Sequence, residues 1–287
     1  MPFRLLNASS RALPQYLIIG AQRAGTTSLY TYLSQHPQIL RPARKEVHFF
    51  DLHFHEGVRW YRAHFPLQSA RARESEAVGA PVLTGEATPY YLFHPEAPRR
   101  IASLLPGVRL IALLRDPVAR AYSHYTLTAG QGRDPLSFTE AVRWEQKCLE
   151  EALGKGLDIG ACYDGRDHLW HSYLARGIYS LQLKTYFDLF DRKDICVVCS
   201  ENLFRDPRAT YDHILAFLGL RPHELKNSQP KNKGVYGTLT PEKINTDLLR
   251  QLRAFFEPLN AELYSLLGTD FHWRGFLALP LMAGVAA

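Results

Sequence analysis

The feature that most constrains the fold is a short apolar run that leads through a glycine-bounded loop into a helical pattern. Tyr16–Gly20 (YLIIG) predicts a buried strand, and apolar residues recur at helical spacing over 29–33. Between them, the loop carries Gly25 followed by two threonines. A tight loop between a strand and a helix start aims backbone N–H groups and the positive end of the helix dipole at one point. The sequence therefore predicts a phosphate-binding loop.

The composition of this loop differs from that of a nucleoside triphosphate site. A Walker A loop places Lys directly after its second glycine, whereas this chain has Thr26 there and carries its only loop cation at Arg23. We therefore expect the loop to hold one phosphate next to a group that is transferred, with an ordinary glycine-containing turn as the alternative. The predicted phosphate-binding residues are Gly20, Ala21, Gln22, Arg23, Ala24, Gly25, Thr26 and Thr27.

Short apolar runs alternate with longer amphipathic stretches along the rest of the chain, a pattern typical of βαβ units. The predicted strands are Tyr16–Ile19, Val82–Thr84, Leu110–Leu114 and Ile195–Cys199. The predicted helices are Thr26–Gln35, Pro95–Leu105, Pro117–Ala129, Phe138–Leu153, His171–Phe190, Arg208–Leu218 and Pro241–Leu267. With 287 residues, 46% of them hydrophobic, the chain can bury one large core.

These patterns predict an α/β fold, a P-loop-like single domain with a central, mainly parallel sheet flanked by helices. We expect this domain to span 15–275, between an N-terminal extension (1–14) and a C-terminal tail (276–287). Two polar stretches lie outside the pattern. Gln68–Gly79 predicts an exposed excursion, and Gly154–Asp167, with four glycines, predicts a mobile flap.

Charge and cysteine content indicate the kinds of ligand and compartment. The formal net charge of +6 favours anionic ligands, but the Lys and Arg residues are spread along the chain, which argues against nucleic acid. No stretch approaches the roughly 20 apolar residues of a membrane span, and the N-terminus lacks the apolar core of a signal peptide. Four cysteines are few for this length. We therefore expect a cytoplasmic protein without a membrane span.

Two of the cysteines, Cys196 and Cys199, have the spacing of a redox motif. They lie in the β-branched run 194–200, which predicts a buried strand, whereas reactive pairs usually lie at a helix N-terminus. We expect both thiols to be part of the core.

A second strand leads directly into a helix at Leu110–Leu114. Pro117 takes the first helical position, as helix starts prefer. Arg115 would lie at the carboxyl end of the strand, where open α/β sheets bind ligands, and Ser123 would lie further along the helix. The alternative is that Arg115 pairs with Asp116 or with a helix end.

The segment Arg44–Asp51 combines base, acid and imidazole with apolar residues. Its apolar residues would anchor the segment while Glu46, His48 and Lys45 face a cleft. This combination of side chains is typical of general acid–base chemistry.

Together these segments resemble the PAPS-dependent sulfotransferases, a family that includes heparan sulfate sulfotransferases and their bacterial relatives. The resemblance extends from Tyr16 to Trp273. It also includes Gly85–Tyr91, similar to the family's stretch beside the acceptor, and 231–236, similar to the loop that closes over the nucleotide. It implies in-line transfer of a sulfuryl group from 3′-phosphoadenosine 5′-phosphosulfate (PAPS), without a metal. The acceptor would be a hydroxyl of a carbohydrate or a biosynthetic intermediate, or an amine.

The resemblance also implies roles for individual residues. Glu46 would be the general base, with support from His48 and Asp51, while Arg23 would act at the leaving phosphate, where the family usually has Lys. Arg and Lys are not equivalent there, because a planar guanidinium differs from a point charge. The further donor-binding residues are predicted to be Arg115, Ser123, Lys233 and Gly234. The predicted acceptor-side residues are Lys45, Asp51, Glu86 and Tyr90.

Three other functions are compatible with parts of the sequence. The cluster of histidines and acids over 48–56 could bind a metal, although no second cluster at a recognisable spacing follows. A P-loop kinase would share the first strand and loop but needs the missing lysine. A non-catalytic nucleotide- or glycan-binding module would keep the fold without chemistry, and Glu46 with His48 in one segment argues against it.

Overall fold

A computed structural model describes residues 2–155, 165–231 and 245–273 of the chain. The strands are β1 (Tyr16–Gly20), β2 (Ile39–Leu40), β3 (Leu83–Ala87), β4 (Arg109–Leu114) and β5 (Ile195–Cys199). The helices are α1 (Pro2–Leu6), α2 (Thr26–Leu33), α3 (Gly57–Arg62), α4 (Gln68–Val78), α5 (Ala97–Leu104), α6 (Pro117–Gly130), α7 (Phe138–Gly154), α8 (Gly165–Trp170), α9 (Tyr179–Leu189), α10 (Ser200–Arg205), α11 (Pro207–Phe217) and α12 (Thr246–Leu267).

The strands form one sheet in the order β2-β3-β1-β4-β5, and every pairing in it is parallel. Tyr16 on the central strand pairs with Gly85 on one side and with Arg109 on the other. Every residue of β1 is buried, as expected for a parallel sheet covered on both faces. The predicted α/β class with a mainly parallel sheet is therefore confirmed.

Contacts divide the chain into two compact units, which are described separately. The first contains the described residues of 2–114 and 182–231, including all five strands. The second contains the described residues of 115–181 and 245–273. The domain boundaries expected from the sequence remain predictions.

An aromatic cluster fills the first unit beside the sheet. The ring of Phe49 stacks on that of Tyr61, with centroids 4.4 Å apart, and Phe50 meets Tyr91 edge to face at 5.4 Å. All four side chains are fully buried. Such rings bury large apolar areas and prefer these geometries, so they anchor the segment that carries Phe49 and Phe50.

The cysteine pair lies in the core, as predicted. Cys196 and Cys199 are buried in β5 and carry free thiols. Burial raises the pKa of both thiols to about 12, so they remain protonated and unreactive at neutral pH.

The predicted helix His171–Phe190 proves to be shorter. It is α9, which begins at Tyr179 and follows a separate 3₁₀ turn at Ala175–Gly177. The buried carboxylate of Glu145 accepts hydrogen bonds from the N–H groups of Leu174 and Ala175, at 2.7 and 2.9 Å. Because a side chain from another helix binds these donors, the chain turns here and a continuous helix does not form.

The two polar stretches have different outcomes. Gln68–Gly79 is exposed as predicted, but it forms the helix α4, which has no buried residue. Most of Gly154–Asp167 lies outside the described residues.

Over the ranges that the structure describes, no helix is both long enough and apolar enough to cross a membrane.

Candidate active site

The predicted phosphate loop lies in the first unit, between the carboxyl end of β1 and the start of α2. Gly25 precedes the helix with a φ of +92°, which favours glycine, and it has no side chain to cap the helix start. The first N–H groups of a helix have no intrahelical partner, so they are directed towards the space in front of α2. The loop therefore has the form that the sequence predicted for binding an anion.

Close packing fixes the shape of this loop. A Cβ atom at Gly25 would lie 2.8 Å from Cζ of Phe204, and one at Gly20 would lie 2.5 Å from Cβ of Leu92. The hydroxyl of Ser200, the first residue of α10, donates to the carbonyl oxygen of Ala24 at 2.8 Å. The loop is thus held from the carboxyl end of β5 as well as by its own strand and helix.

The start of the predicted closing loop is attached to α2. The N–H of Lys231 donates to the hydroxyl of Ser28 at 2.9 Å, and the hydroxyl of Tyr32 donates to the carbonyl oxygen of Ser228 at 2.6 Å. Residues 228–231, which lead into the predicted closing loop, therefore lie against α2, the helix that follows the phosphate loop.

The predicted acid–base segment follows β2 in the same unit. Lys45 and Glu46 form a direct ion pair, and Nδ1 of His48 donates to Oδ2 of Asp51 at 2.7 Å. Nε2 of His48 lies 3.7 Å from Oε2 of Glu46, a distance typical of an ion pair rather than a hydrogen bond. The carboxyl of Glu46 is 42% exposed, whereas that of Asp51 is fully buried. Glu46 is therefore the carboxylate that a ligand can reach.

These contacts change the proton affinities of both central groups. Burial alone would raise the pKa of Glu46, but the interactions with His48 and Lys45 outweigh it and lower the pKa to about 2. Burial alone would lower the pKa of His48, but the carboxylates of Asp51 and Glu46 raise it to about 9. At neutral pH the site thus holds an ionised Glu46 between two cations.

The backbone at this segment has an unusual conformation. Among the described residues, only four that are not glycine have a positive φ, namely Arg23, Glu46, His48 and His272. Three of these four are the residues that the sequence predicted to be catalytic. Because this conformation is costly for residues with a Cβ, it persists only where contacts with the surrounding structure hold the backbone in place.

The end of β3 and the residues after it, 86–91, hold this backbone in place. Four consecutive N–H groups, those of residues 46–49, donate in turn to the carbonyl oxygen of Ala87 (3.1 Å), Oε2 of Glu86 (3.2 Å), the hydroxyl of Thr88 (3.4 Å) and the hydroxyl of Tyr91 (2.9 Å). Residues 46–49 are therefore joined one by one to the end of β3 and the residues after it.

Two predicted acceptor-side residues lie in this supporting segment. Glu86 is fully buried, and its carboxylate is hydrogen-bonded within the protein, which does not fit the direct acceptor contact predicted for it. Tyr90 is also buried, with 7% of its surface exposed. Lys45 lies beside Glu46, whereas Asp51, like Glu86, has a fully buried carboxylate that is bonded within the protein, to His48.

The remaining predicted donor residues lie elsewhere in the chain. Arg115 directly follows β4 and is half-buried, and its carbonyl oxygen accepts from the hydroxyl of Tyr179 at 2.9 Å. Ser123 is half-buried in α6. Lys233 and Gly234 lie outside the described residues. The 3′-phosphate role of all four remains a prediction.

The histidine cluster over 48–56 has a simpler arrangement than a metal site. His53 packs its ring against Trp60, with centroids 5.0 Å apart, and His55 is 74% exposed. Within the described parts of the chain, no three His, Cys, Asp or Glu side chains are grouped as metal ligands.

Comparison with known proteins agrees with the fold and with these motifs. The family model described as "Sulfotransferase domain" matches residues 13–232. Heparan sulfate glucosamine 3-O-sulfotransferase 3A1 of Mus musculus is 32% identical over 290 residues, which cover 94% of this chain and 67% of that protein. A solved sulfotransferase from Alicyclobacillus acidocaldarius is 32% identical with a TM-score of 0.67, over 92% of this chain and 99% of that one. This chain therefore belongs to the sulfotransferase family, as the resemblance implied.

The human 3-O-sulfotransferase 3A1 is 31% identical, and 65% of its length is covered. The chain thus spans about two thirds of the length of the curated relatives it matches.

Sequence reasoning missed Thr88, Tyr91 and Ser200 as supports of the site. The first two lie in Gly85–Tyr91, which the sequence marked as a motif without roles for these side chains. Ser200 carries no signal in the sequence, because its contact with the phosphate loop joins residues that are 176 positions apart.

Proposed function

We propose that this chain transfers a sulfuryl group from PAPS to a hydroxyl of a carbohydrate acceptor, with Glu46 as the general base. The observation that carries the proposal is the geometry of Lys45, Glu46, His48 and Asp51, in the segment that is hydrogen-bonded to the carboxyl end of β3. This group lies in the same compact unit as the phosphate loop. Parallel α/β sheets bind ligands at the carboxyl ends of their strands. The phosphate loop follows β1, and the segment with Glu46 is bonded to the end of β3.

The phosphate loop suits PAPS, a donor in which the sulfuryl group is already activated. The backbone N–H groups at the start of α2, with Arg23, Thr26 and Thr27, would bind the 5′-phosphate and stabilise the charge that develops on it. Arg115 and Ser123, by resemblance, would bind the 3′-phosphate, together with Lys233 and Gly234. No acidic residue occupies the first turn of α2, so nothing there repels an anion.

The protonation states fit a particular role for Glu46. A carboxylate with a pKa of about 2 is ionised at any physiological pH, so it is always ready to accept a proton. It is also a weak base and cannot deprotonate a free alcohol. It would therefore accept the proton only as the hydroxyl oxygen bonds to sulfur and becomes acidic. His48 and Lys45, both close to its oxygens, orient the carboxylate and balance its charge.

The acceptor is proposed to be an acidic carbohydrate. Relatives at 31–32% identity are named as heparan sulfate glucosamine 3-O-sulfotransferases. Arg41 and Arg44 are exposed and precede Glu46 in the chain by five and two residues, so they add positive charge to the surface of this segment. Such charge favours an anionic acceptor.

The test is a transfer assay with the purified chain, PAPS and heparan sulfate oligosaccharides, in which mass spectrometry detects the gain of one SO₃ group. Glu46→Gln should fold, bind PAPS with similar affinity and turn over at least about 100-fold more slowly. Glu76→Gln, which removes an exposed carboxylate on α4, is the matched control and should keep the full rate.

Three results would contradict parts of the proposal. Full activity of Glu46→Gln would end its assignment as the base. Transfer to a small hydroxyl compound but not to the oligosaccharides would end the carbohydrate assignment. The reaction should also survive EDTA, whereas an EDTA-sensitive transfer of phosphate from ATP would identify a kinase instead.

A further inference from the structure

We propose that Glu86 is a positioning residue, whose buried carboxylate fixes the backbone of residues 47–49 and thereby orients Glu46 and His48. The inference rests on the proposed function, because it assumes that Glu46 and His48 act in the reaction. It assigns Glu86 no contact with donor or acceptor. Its side chain lies beneath the acid–base segment and is fully buried.

The hydrogen bonds of Glu86 form a network in which its carboxylate is always the acceptor. Oε2 accepts from the N–H of Val47 at 3.2 Å and from the hydroxyl of Thr88 at 2.7 Å. Oε1 accepts from the hydroxyls of Tyr61 and Tyr91 at 2.8 and 3.0 Å. Four donors converge on the two oxygens, so the site requires a group that only accepts.

The hydroxyls of Thr88 and Tyr91 link Glu86 to the acid–base segment. A hydroxyl has one hydrogen, and Thr88 and Tyr91 both donate theirs to Glu86. Their oxygens are then left as acceptors for the N–H groups of His48 and Phe49. The carboxylate of Glu86 thus directs three consecutive N–H groups, one directly and two through a hydroxyl.

The backbone that this network holds is the strained one. Glu46 and His48 both have a φ of +57°, a conformation that side chains with a Cβ rarely adopt. Such a conformation persists only where the surroundings determine it. The hydrogen bonds of the network hold the backbone in this conformation at Glu46 and His48, whose side chains form the ion pair at 3.7 Å.

The first test is Glu86→Gln, which keeps the size of the side chain and turns one acceptor into an NH₂ donor. In either orientation of the amide, one pair of donors then faces another donor. We expect kcat to fall about tenfold or more, with KM for PAPS within about twofold of wild type, because the phosphate loop is untouched.

The second test compares two tyrosines that carry the same chemical change. Tyr91→Phe removes the hydroxyl that links Glu86 to Phe49. Tyr186→Phe also removes a fully buried hydroxyl, one that donates to the carbonyl oxygen of Tyr91 at 2.8 Å without contacting Glu86. Tyr91→Phe should lower kcat about fivefold or more, whereas Tyr186→Phe should leave it within about twofold of wild type at a similar loss of stability. Equal effects on kcat would show that the role is merely structural and would overturn the proposal.

A readout that is independent of activity separates this inference from the proposed function. Amide hydrogen exchange at Val47, His48 and Phe49, measured by NMR, should accelerate about tenfold or more in Glu86→Gln and remain unchanged in Tyr186→Phe. Unchanged exchange in Glu86→Gln overturns the positioning role even if the enzyme is active. Accelerated exchange in a chain whose wild type transfers no sulfuryl group supports the positioning role and overturns the proposed function alone.

Discussion

The substitution Asp51→Asn should lower the pKa of His48 and with it the fraction of His48 that is protonated near pH 8. Asp51 is the fully buried partner of His48 at 2.7 Å, so asparagine keeps the shape of the side chain and removes its charge. In wild type, burial opposes protonation, but Asp51 and Glu46 together raise the pKa of His48 to about 9. With Glu46 remaining as a partner, the pKa should fall by about one to two pH units.

The size of the effect on stability follows from the same shift. A rise of the His48 pKa from 6.5 to about 9 corresponds to a stabilisation of the folded state by about 3 kcal/mol at most. Because the folded pKa is the raised one, this stability is fully present below pH 6.5 and is lost as the pH rises through 9. His48 is 22% exposed, so solvent screening reduces the value, and we expect about 2 kcal/mol.

Two measurements test the prediction. NMR titration of the histidine rings, with the His48 signal assigned by its loss in His48→Gln, should give a midpoint near 9 in wild type and a clearly lower one in Asp51→Asn. Urea unfolding at pH 6 and pH 10 should show a smaller decline of the free energy of unfolding with pH in Asp51→Asn than in wild type.

The matched control is Asp191→Asn, which removes an exposed aspartate paired with Lys193 at 2.9 Å. It should leave the His48 midpoint unchanged and behave like wild type in urea. If His48 titrates near 6.5 in wild type, or if Asp51→Asn leaves its midpoint unchanged, the electrostatic account of the site is wrong.

Three further predictions concern the donor and the base. Arg115→Ala should weaken binding of PAPS and of its 3′,5′-bisphosphate product about tenfold or more and leave adenosine 5′-phosphosulfate little changed; equal losses in calorimetry would show that Arg115 does not bind the 3′-phosphate. Arg23→Lys should stay active while Arg23→Ala loses mainly turnover, and an unchanged rate in Arg23→Ala would remove this residue from the mechanism. Lys45→Met should raise the pKa of Glu46 above its value of about 2, so that the loss of kcat/KM in acid begins at a higher pH, and an unshifted pH–rate profile would contradict this.

Much of the fold was predictable because its signals are local. A buried parallel strand appears as a continuous apolar run, so β5 was predicted at its observed bounds, Ile195–Cys199. The two-residue strand β2 was not predicted, because Ile39–Leu40 is too short to show any periodicity. The sheet order was also out of reach, since it depends on pairings such as Leu110 with Ile195 that lie far apart in sequence.

The sequence by itself determined which residues could carry the chemistry. The glycine-bounded loop after β1 and the combination of Glu46 with His48 follow from residue types and spacing, and they resemble one family over most of the chain.

Only the tertiary structure decided the state of those residues. The low pKa of Glu46 and the high pKa of His48 result from distances between side chains. The strained backbone that carries them is held by acceptors at the end of β3 and just after it. Glu86 shows the difference most clearly. As a glutamate in a motif it was expected to contact the acceptor, but in the structure it is fully buried and accepts hydrogen bonds from four donors within the protein, which is the basis for the positioning role proposed above. Burial and hydrogen-bond direction depend on the whole packed chain, so no local pattern of residues could show them.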